Sequence, residues 1–272
     1  MKGVLRYTLM VAAALLVLGG CRGGSGGAGK AGARRAAAEA AGAAASATSA
    51  APASPVFLAH TSLAPTSFAP GDIVLSVADT AAFFSAAPID SAVFARMSGR
   101  SYKDGCPVAV EDLRYLRVLH KDLSGRTLVG EMVANRSIAD DLLEIFRVLY
   151  DAGYPIERMR LIDDYDGDDE ASMLANNSSC FNYRRKAHMS SVSKHAYGEA
   201  VDINPLYNPY YRVTPAGARI VEPASAAPYV DRAADFPYKI ERGDLCHRLF
   251  LEHGFHWGGS WTRSKDYQHF ER

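Results

Sequence analysis

Apolar side chains recur at helical spacing in the middle of the chain. The positions that share this pattern are Ile138, Leu142, Ile145, Phe146 and Leu149. They are three or four residues apart, as on one face of an α-helix, with Ser137 placed to cap the start and Gly153 placed to end it. Residues 113–120 and 244–253 have shorter amphipathic patterns. The pattern therefore predicts helices at residues 138–149, 113–120 and 244–253, the last of them closed by Gly254.

Short runs rich in apolar and β-branched residues predict strands. They cover residues 128–133, 158–163, 200–204 and 269–271. Helices and strands do not alternate in a regular β-α-β order, so an α+β fold with a small antiparallel sheet and flanking helices is favoured. The segment from Asn204 to Phe236 is rich in Pro and Tyr and predicts a long loop, which in a compact domain is usually functional or disordered.

The N-terminal residues have the pattern of a bacterial export signal. A short positive region precedes the apolar residues 9–18, a stretch too short to span a bilayer as a mature helix. The stretch ends in Leu18-Gly19-Gly20-Cys21, which resembles the lipobox of bacterial lipoproteins. This resemblance implies a signal peptide at residues 1–21 and acyl chains on Cys21 that anchor the protein to a membrane. The alternative is an ordinary secretory signal with an incidental cysteine.

Composition divides the rest of the chain in two. Residues 22–71 are dominated by Ala, Gly, Ser and Pro and have few large apolar side chains, so they predict a disordered tether. Residues 72–272 have the size of one domain. The formal net charge is +0, so nothing favours a nucleic acid as partner. Three further cysteines, Cys106, Cys180 and Cys246, are compatible with one disulfide, whose pairing the sequence does not determine.

Two segments near the C-terminus contain the side chains typical of a metal site. The first contains His195 and Asp202, and the second contains Asp266 and His269. A catalytic zinc needs three protein ligands and an open position, and two histidines with one carboxylate are an accepted set. On a regular strand, His195 and Asp202 would point to opposite faces. Gly198 lies between them and permits the turn that brings them together.

Asp266 precedes His269 by three residues and is predicted to lie beside the metal without binding it. A carboxylate at that place can act as a general base towards water, whose pKa a metal lowers to about 7. Glu199 and Glu271 are the nearest substitutes in the sequence if Asp266 is not the base. The sequence therefore predicts one zinc ion held by His195, Asp202 and His269.

The motifs resemble those of a family of zinc peptidases. The matching residues are Ser193-x-His195-x-x-Gly198-x-Ala200-x-Asp202 and Asp266-x-x-His269-Phe270-Glu271, within residues 176–271. They look like the zinc D-Ala-D-Ala carboxypeptidase and L-alanyl-D-glutamate endopeptidase family. The resemblance implies a Hedgehog/DD-peptidase fold, zinc on His195, Asp202 and His269, Asp266 as base, and peptidoglycan stem peptides as substrate. It does not distinguish between the two scissile bonds.

One departure from the family concerns an arginine that binds substrate in the endolysin branch. The corresponding stretch, residues 163–169, is acidic and contains no arginine. Arg184 is the candidate substitute for binding a substrate carboxylate or an oxyanion, with a surface arginine as the alternative. Ser193 and Trp257 are candidate substrate contacts, although Trp257 is equally compatible with burial in the core.

Two other interpretations of the site remain open from the sequence alone. The chain could be a non-catalytic cell-wall-binding module that keeps zinc for structure. Two histidines and a carboxylate also suit Fe(II) in non-haem oxygenases. The presence of Asp266 and the ligand spacing favour a zinc peptidase in the bacterial envelope, anchored through its lipid and facing the periplasm or the cell exterior.

Overall fold

The computed structural model describes residues 67–74, 79–184 and 192–272. These residues form small antiparallel sheets with flanking helices, which agrees with the predicted α+β class. All of them belong to one compact unit, residues 52–272. The predicted signal segment with Cys21, and the predicted tether except for residues 67–71, lie outside the described residues.

The largest sheet has four antiparallel strands in the order β1-β4-β3-β2. Their bounds are β1 Ile73–Val74, β2 Ser85–Pro88, β3 Leu113–Lys121 and β4 Thr127–Asn135. The predicted strand at residues 128–133 is confirmed as part of β4. The helix predicted at residues 113–120 is wrong, because β3 is a central strand that pairs on both edges. Both faces of β3 are covered, so its apolar residues do not alternate cleanly and imitate a helical pattern.

Four α-helices flank the sheets: α1 Ser91–Met97, α2 Ala139–Asp151, α3 Asp169–Leu174 and α4 Leu245–Glu252. The predicted helices at residues 138–149 and 244–253 are confirmed as α2 and α4. Both pack their apolar faces into one core together with strands of the large sheet. Asp244 caps α4 by accepting a hydrogen bond from the His247 amide at 2.7 Å. Ser137 does not cap α2; the residue before the helix is Ile138, which makes no side-chain cap.

Eight further short strands lie within the described residues. They are β5 Arg158–Met159, β6 Asn177–Ser178, β7 Ala200–Asp202, β8 Tyr210–Val213, β9 Arg219–Glu222, β10 His256–Trp257, β11 Lys265–Asp266 and β12 His269–Glu271. Two three-stranded antiparallel sheets, β10-β12-β7 and β11-β8-β9, contain the residues of interest for chemistry. The strand predicted at residues 269–271 is confirmed. Those at residues 158–163 and 200–204 are shorter than predicted, and a 3-10 helix, Ile162–Tyr165, replaces the end of the first.

The predicted long loop between Asn204 and Phe236 is wrong, because the segment folds into a hairpin of β8 and β9 and a 3-10 helix, Ala224–Val230. The hairpin strands consist mostly of Tyr, Val and Ile, which favour strands, and the prolines of the segment lie outside them.

Two further expectations concern disulfides and membrane spans. Cys106, Cys180 and Cys246 are free thiols in the described structure, so the expected disulfide among them is not formed. Within the described ranges, no helix combines the length and the apolar character that crossing a bilayer requires.

Candidate metal and catalytic site

Three elements bring His195, Asp202 and His269 to one place. His195 lies in a 3-10 helix, Lys194–Tyr197, and the chain then reverses at Gly198 and enters β7. Asp202 ends β7, and His269 begins β12 directly opposite Asp202 in the antiparallel register. Residues opposite each other on antiparallel strands point to the same face. The sheet therefore aligns two of the three side chains, and the turn before β7 supplies the third.

The reversal at Gly198 depends on glycine, as the sequence predicts. Its φ is 67°, in the left-handed region that side chains disfavour. A Cβ on Gly198 would lie 2.7 Å from the Asn135 amide nitrogen. That amide donates to the Gly198 carbonyl at 2.8 Å, and the Asn135 side chain donates to the Tyr197 carbonyl at 3.0 Å. The turn that separates His195 from Asp202 is thus attached to the end of β4.

The three side chains present their ligand atoms at short range. His195 Nε2 lies 3.1 Å from one Asp202 oxygen, and His269 Nδ1 lies 3.0 Å from the other. The two ring nitrogens are themselves 3.1 Å apart. These are the only His, Cys, Asp or Glu side chains in the described ranges that meet the spacing of a metal-binding group. For a tetrahedral zinc with bonds of about 2.0–2.2 Å, ligand atoms would be separated by roughly 3.3 Å, close to these distances.

Hydrogen bonds on the far side of both rings determine which nitrogen faces the site. His195 Nδ1 lies 2.6 Å from the Cys180 carbonyl, and His269 Nε2 lies 3.2 Å from a Glu271 carboxylate oxygen. Each acceptor requires a proton on the nitrogen beside it, so the facing nitrogens carry lone pairs when the rings are neutral. Two lone pairs 3.1 Å apart repel each other unless a cation lies between them. The side chains therefore fit a metal ion.

The electrostatics of the cluster favour positive charge. Burial acts to raise the pKa of Asp202, but His195 and His269 outweigh it and hold that pKa well below its usual range. Burial acts to lower the pKa of His269, but hydrogen bonds to Asp202 and Glu271 raise it to about 10. Both shifts arise because the carboxylates and the imidazoles at this point stabilise each other's charged forms.

Asp266 lies beside the three candidate ligands and forms no hydrogen bond with any of them. It lies on β11, and its Oδ1 is inaccessible to solvent and has no hydrogen-bond partner. Burial raises the pKa of Asp266 to about 7, and the Asp202 carboxylate adds to the rise against the opposing histidines. Gly258 leaves room for Asp266 to lie close to His269. A Cβ on Gly258 would be 2.8 Å from Asp266 Cβ and 3.3 Å from His269 Cβ.

Arg184 lies within electrostatic range of the cluster and is held in place by an acidic partner. Its guanidinium forms an ion pair with Asp169 at the start of α3. Burial lowers the pKa of Arg184, while Asp202, Glu222 and Asp266 act in the opposite direction. Its Nε is buried and has no hydrogen-bond partner. This environment differs from that of a solvated surface arginine.

The other two candidate substrate contacts are both buried. Ser193 immediately precedes the 3-10 helix of His195 and makes no side-chain cap. Trp257 packs in the main core, where its indole nitrogen donates to the Tyr267 carbonyl at 2.9 Å. Of the two alternatives for Trp257, its position fits burial in the core. The ring that approaches the cluster is Trp261, whose centroid lies 5.5 Å from that of His269.

Three further features of the site escaped sequence reasoning. The Glu271 contact with His269 could have been found, since residues two apart on a strand share a face. Glu271 was considered only as a substitute base. The Cys180 carbonyl and the Trp261 ring come from segments whose approach depends on the tertiary fold.

His247, His253 and the acidic segment have structural partners in the described part of the chain. His253 lies 3.0 Å from Asp141, and His247 meets the Trp257 ring edge to face at a centroid distance of 5.0 Å. In the acidic segment, Asp164 and Asp166 pair with arginines and Asp168 caps α3. These carboxylates therefore bind groups of the protein itself.

Comparison with known proteins gives one match. A family model described as D-alanyl-D-alanine carboxypeptidase matches residues 187–272, the part of the chain that contains His195, Asp202, Asp266 and His269. Neither the curated proteins nor the solved structures gave a match. Residues 187–272 are therefore similar to the D-alanyl-D-alanine carboxypeptidase family, which confirms the resemblance found in the motifs.

Proposed function

We propose that this protein is a zinc metallopeptidase that hydrolyses a peptide bond in peptidoglycan stem peptides. The observation that carries the proposal is the convergence of three metal-ligand side chains beside Asp266, a buried carboxylate with one unpartnered oxygen. The family match supports a peptidase of the D-Ala-D-Ala carboxypeptidase type. An endopeptidase of the same family is the second form of the proposal, and both imply the Hedgehog/DD-peptidase fold.

The proposed metal ligands are His195, Asp202 and His269. Two imidazoles and one carboxylate suit a catalytic zinc, since such a set leaves a coordination position open. A bound zinc supplies Lewis acidity, which polarises a carbonyl and lowers the pKa of water at the ion to about 7. The same donor set also suits Fe(II), so metal analysis of protein purified without added metal distinguishes the two ions.

The proposed general base is Asp266. Its unpartnered Oδ1 can accept a proton from the attacking water and later return it to the leaving amine. A pKa of about 7 suits both steps, because such a group exchanges protons readily near neutral pH. Arg184, held by Asp169, is proposed to donate hydrogen bonds to a substrate carboxylate or to the oxyanion. Ser193 is proposed to position the turn that carries His195.

A non-catalytic cell-wall-binding module is the alternative function. A structural zinc site is closed by four protein ligands, whereas this cluster has three. A binding module would also have no use for an inaccessible carboxyl oxygen without a hydrogen-bond partner beside the metal, because such burial costs stability. These two observations favour the enzyme.

The test is digestion of purified peptidoglycan by the purified protein, with the products identified by mass spectrometry. Loss of one D-Ala from pentapeptide stems would identify a carboxypeptidase, and new amino termini inside the stem would identify an endopeptidase. His195→Ala and His269→Ala should each lose bound metal and activity together. Intact stems after exposure to the zinc-loaded protein would contradict the proposal.

We also propose that the protein is a lipoprotein of the bacterial envelope, anchored through Cys21. The support is the order of positive residues, apolar stretch, small residues and cysteine at the N-terminus. Cys21→Ser should prevent lipidation and release the protein from the membrane fraction. Unchanged processing and membrane partition in Cys21→Ser would instead indicate an ordinary secretory signal.

A further inference from the structure

The hairpin of β8 and β9 is joined to the candidate catalytic residue by strand pairing. Asp266 on β11 lies opposite Tyr210 on β8, and Tyr210 lies opposite Glu222 on β9. Side chains opposite one another on antiparallel strands point to the same face, and so do residues two apart on one strand. Arg212 and Ile220, which are themselves paired, therefore share the face of Asp266.

Electrostatics indicate independently that this face is turned towards the site. Arg184 is influenced by three carboxylates, those of Asp202, Glu222 and Asp266. Asp202 and Asp266 belong to the candidate catalytic cluster, and Glu222 is the hairpin residue in register with Tyr210. Coulombic attraction weakens with distance, so all three carboxylates lie in the neighbourhood of Arg184. Glu222 therefore lies on the catalytic side of the hairpin, and the face that carries it continues from the site.

Arg212 is the cation of this face that has no partner. It is exposed, and no hydrogen bond or ion pair involves its side chain in the described ranges. Glu222, the acidic residue diagonal to it, is within the influence of Arg184 instead. Two strand residues span about 7 Å, so Arg212 stands that far beyond Tyr210 along the strand. An extended peptide rises about 3.3 Å per residue. The substrate residue nearest Arg212 would therefore be two or three residues from the scissile bond.

We infer that Arg212 binds an internal carboxylate of the peptide substrate and makes the enzyme prefer acidic stem peptides. This inference rests on the proposed peptidase function and adds a residue that determines substrate preference. An arginine donates charge-assisted hydrogen bonds to a carboxylate, and an unpaired arginine does not have to give up an existing partner first. A peptide whose carboxylate is amidated keeps its shape and loses the charge.

The test uses two synthetic stem pentapeptides, L-Ala-γ-D-Glu-L-Lys-D-Ala-D-Ala with the D-Glu α-carboxylate either free or amidated. For cleavage at D-Ala-D-Ala, this carboxylate belongs to the third residue before the scissile bond, which is within the expected reach of Arg212. The full-length zinc-loaded enzyme should have a kcat/KM about 10-fold higher for the free acid, mostly through KM, since the contact is present in the ground state as well. The preference should shrink as salt is raised, because the contact is exposed.

Arg212→Gln should reduce the preference to near 1 while leaving hydrolysis of the amidated peptide unchanged. The matched control is Arg219→Gln. Arg219 is an exposed arginine of the same hairpin, but its register partner is Val213, so it lies on the opposite face. It should keep the full preference and its salt dependence.

The possible failures are distinguishable. Hydrolysis of both pentapeptides at equal rates by the wild type would overturn the inference and leave the peptidase function standing. An equal loss of preference in both arginine variants would also overturn it, since net charge rather than position would then be responsible. Failure to cleave either pentapeptide, with metal bound, would contradict the peptidase function and the inference with it.

Discussion

At the scale of single residues, hydrogen bonds to the protein orient the side chains of the candidate site. His195 and His269 each use one ring nitrogen to bind an oxygen of the protein, and the other nitrogen faces Asp202. Asp266 has an oxygen that binds nothing. A buried atom without a hydrogen-bond partner costs free energy, so the orphaned Asp266 oxygen beside the three candidate ligands is the feature that the proposed catalytic role would explain.

The first prediction concerns Asp266→Asn, which keeps the size of the side chain but cannot accept a proton. If Asp266 is the general base, kcat should fall by roughly 10²–10⁴, the usual contribution of such a group. Zinc content and thermal stability should stay near those of the wild type, because Asp266 is beside the cluster and not part of it. Steady-state kinetics with metal analysis on the same preparation measure both.

Two results would contradict this role for Asp266. Loss of zinc in Asp266→Asn would make it a metal ligand. Undiminished hydrolysis would require another base or another kind of protein. The substitutes that the sequence offers already have partners, since Glu199 binds Lys194 at 2.6 Å and Glu271 contacts His269.

The second prediction is that Glu271 positions His269 for the metal. Glu271→Ala removes the acceptor of the His269 Nε2 proton, so zinc affinity should fall about 10- to 100-fold. Glu271→Gln keeps an acceptor oxygen and should lose much less. Competition with a chromophoric chelator measures the affinity, and Glu252→Ala, an exposed carboxylate on α4, is the control. Equal losses of zinc affinity in Glu271→Ala and Glu271→Gln would mean that the charge of Glu271 is responsible and not its hydrogen bond.

The sequence predicted most of the chemistry at this scale, because ligand types and their spacing are local properties. His195, Asp202, His269 and Asp266 were all identified from two short segments, and the structure brings the first three together. The Cys180 carbonyl and the Trp261 ring were not identified. A carbonyl has no signature in the sequence, and the approach of Trp261 depends on the 3-10 helix Gly258–Ser260.

At the scale of elements, the site depends on the turn that joins the 3-10 helix of His195 to β7. Gly198 makes this turn with a positive φ and contacts the end of β4. Prediction succeeded here because glycine has a specific backbone meaning. It failed for β3 and for the β8–β9 hairpin. A strand buried on both faces loses its alternation, and the prolines that suggested a loop lie outside the hairpin strands.

The third prediction uses Gly198→Ala. Its Cβ would meet the Asn135 amide nitrogen at 2.7 Å in a backbone conformation that alanine disfavours. We expect a loss of about 1–3 kcal/mol in the free energy of unfolding and weaker zinc binding, because the turn sets the separation of His195 and Asp202. Urea unfolding of the metal-free protein and chelator competition measure the two effects.

Gly217→Ala is the matched control for Gly198→Ala. Gly217 also has a positive φ, 83°, but a Cβ there would meet nothing within 4 Å. It should cost about 1 kcal/mol, the backbone contribution alone, and leave zinc affinity unchanged. If both variants bound zinc like the wild type, the turn at Gly198 would not control the geometry of the metal site.

At the scale of the whole molecule, the candidate metal site connects parts of the chain that are distant in sequence. His195 and His269 are separated by 74 residues, and the segment between them contains the β8–β9 hairpin and α4. β12 pairs with β7 and β10, and its Phe270 is buried in the main core with Phe250 of α4. A metal on these side chains would hold the 3-10 helix, β7 and β12 together, so binding should be coupled to global stability.

The last prediction follows from this coupling. A ligand that binds only the folded state stabilises it by RT ln(1 + [L]/Kd), about 2.7 kcal/mol at a hundredfold excess over Kd. For a folded unit of about 200 residues, this should raise Tm by roughly 5–10 °C. Differential scanning calorimetry of metal-free protein titrated with Zn²⁺ should show a saturable rise in Tm that a chelator reverses.

Ca²⁺ should have little effect on Tm, because two of the three donors are imidazoles and calcium prefers oxygen. His269→Ala should abolish the rise, since it removes a ligand, whereas Asp266→Asn should retain it. A rise that persisted in His269→Ala would place the stabilising metal elsewhere and would separate the fold's stability from the proposed catalytic site.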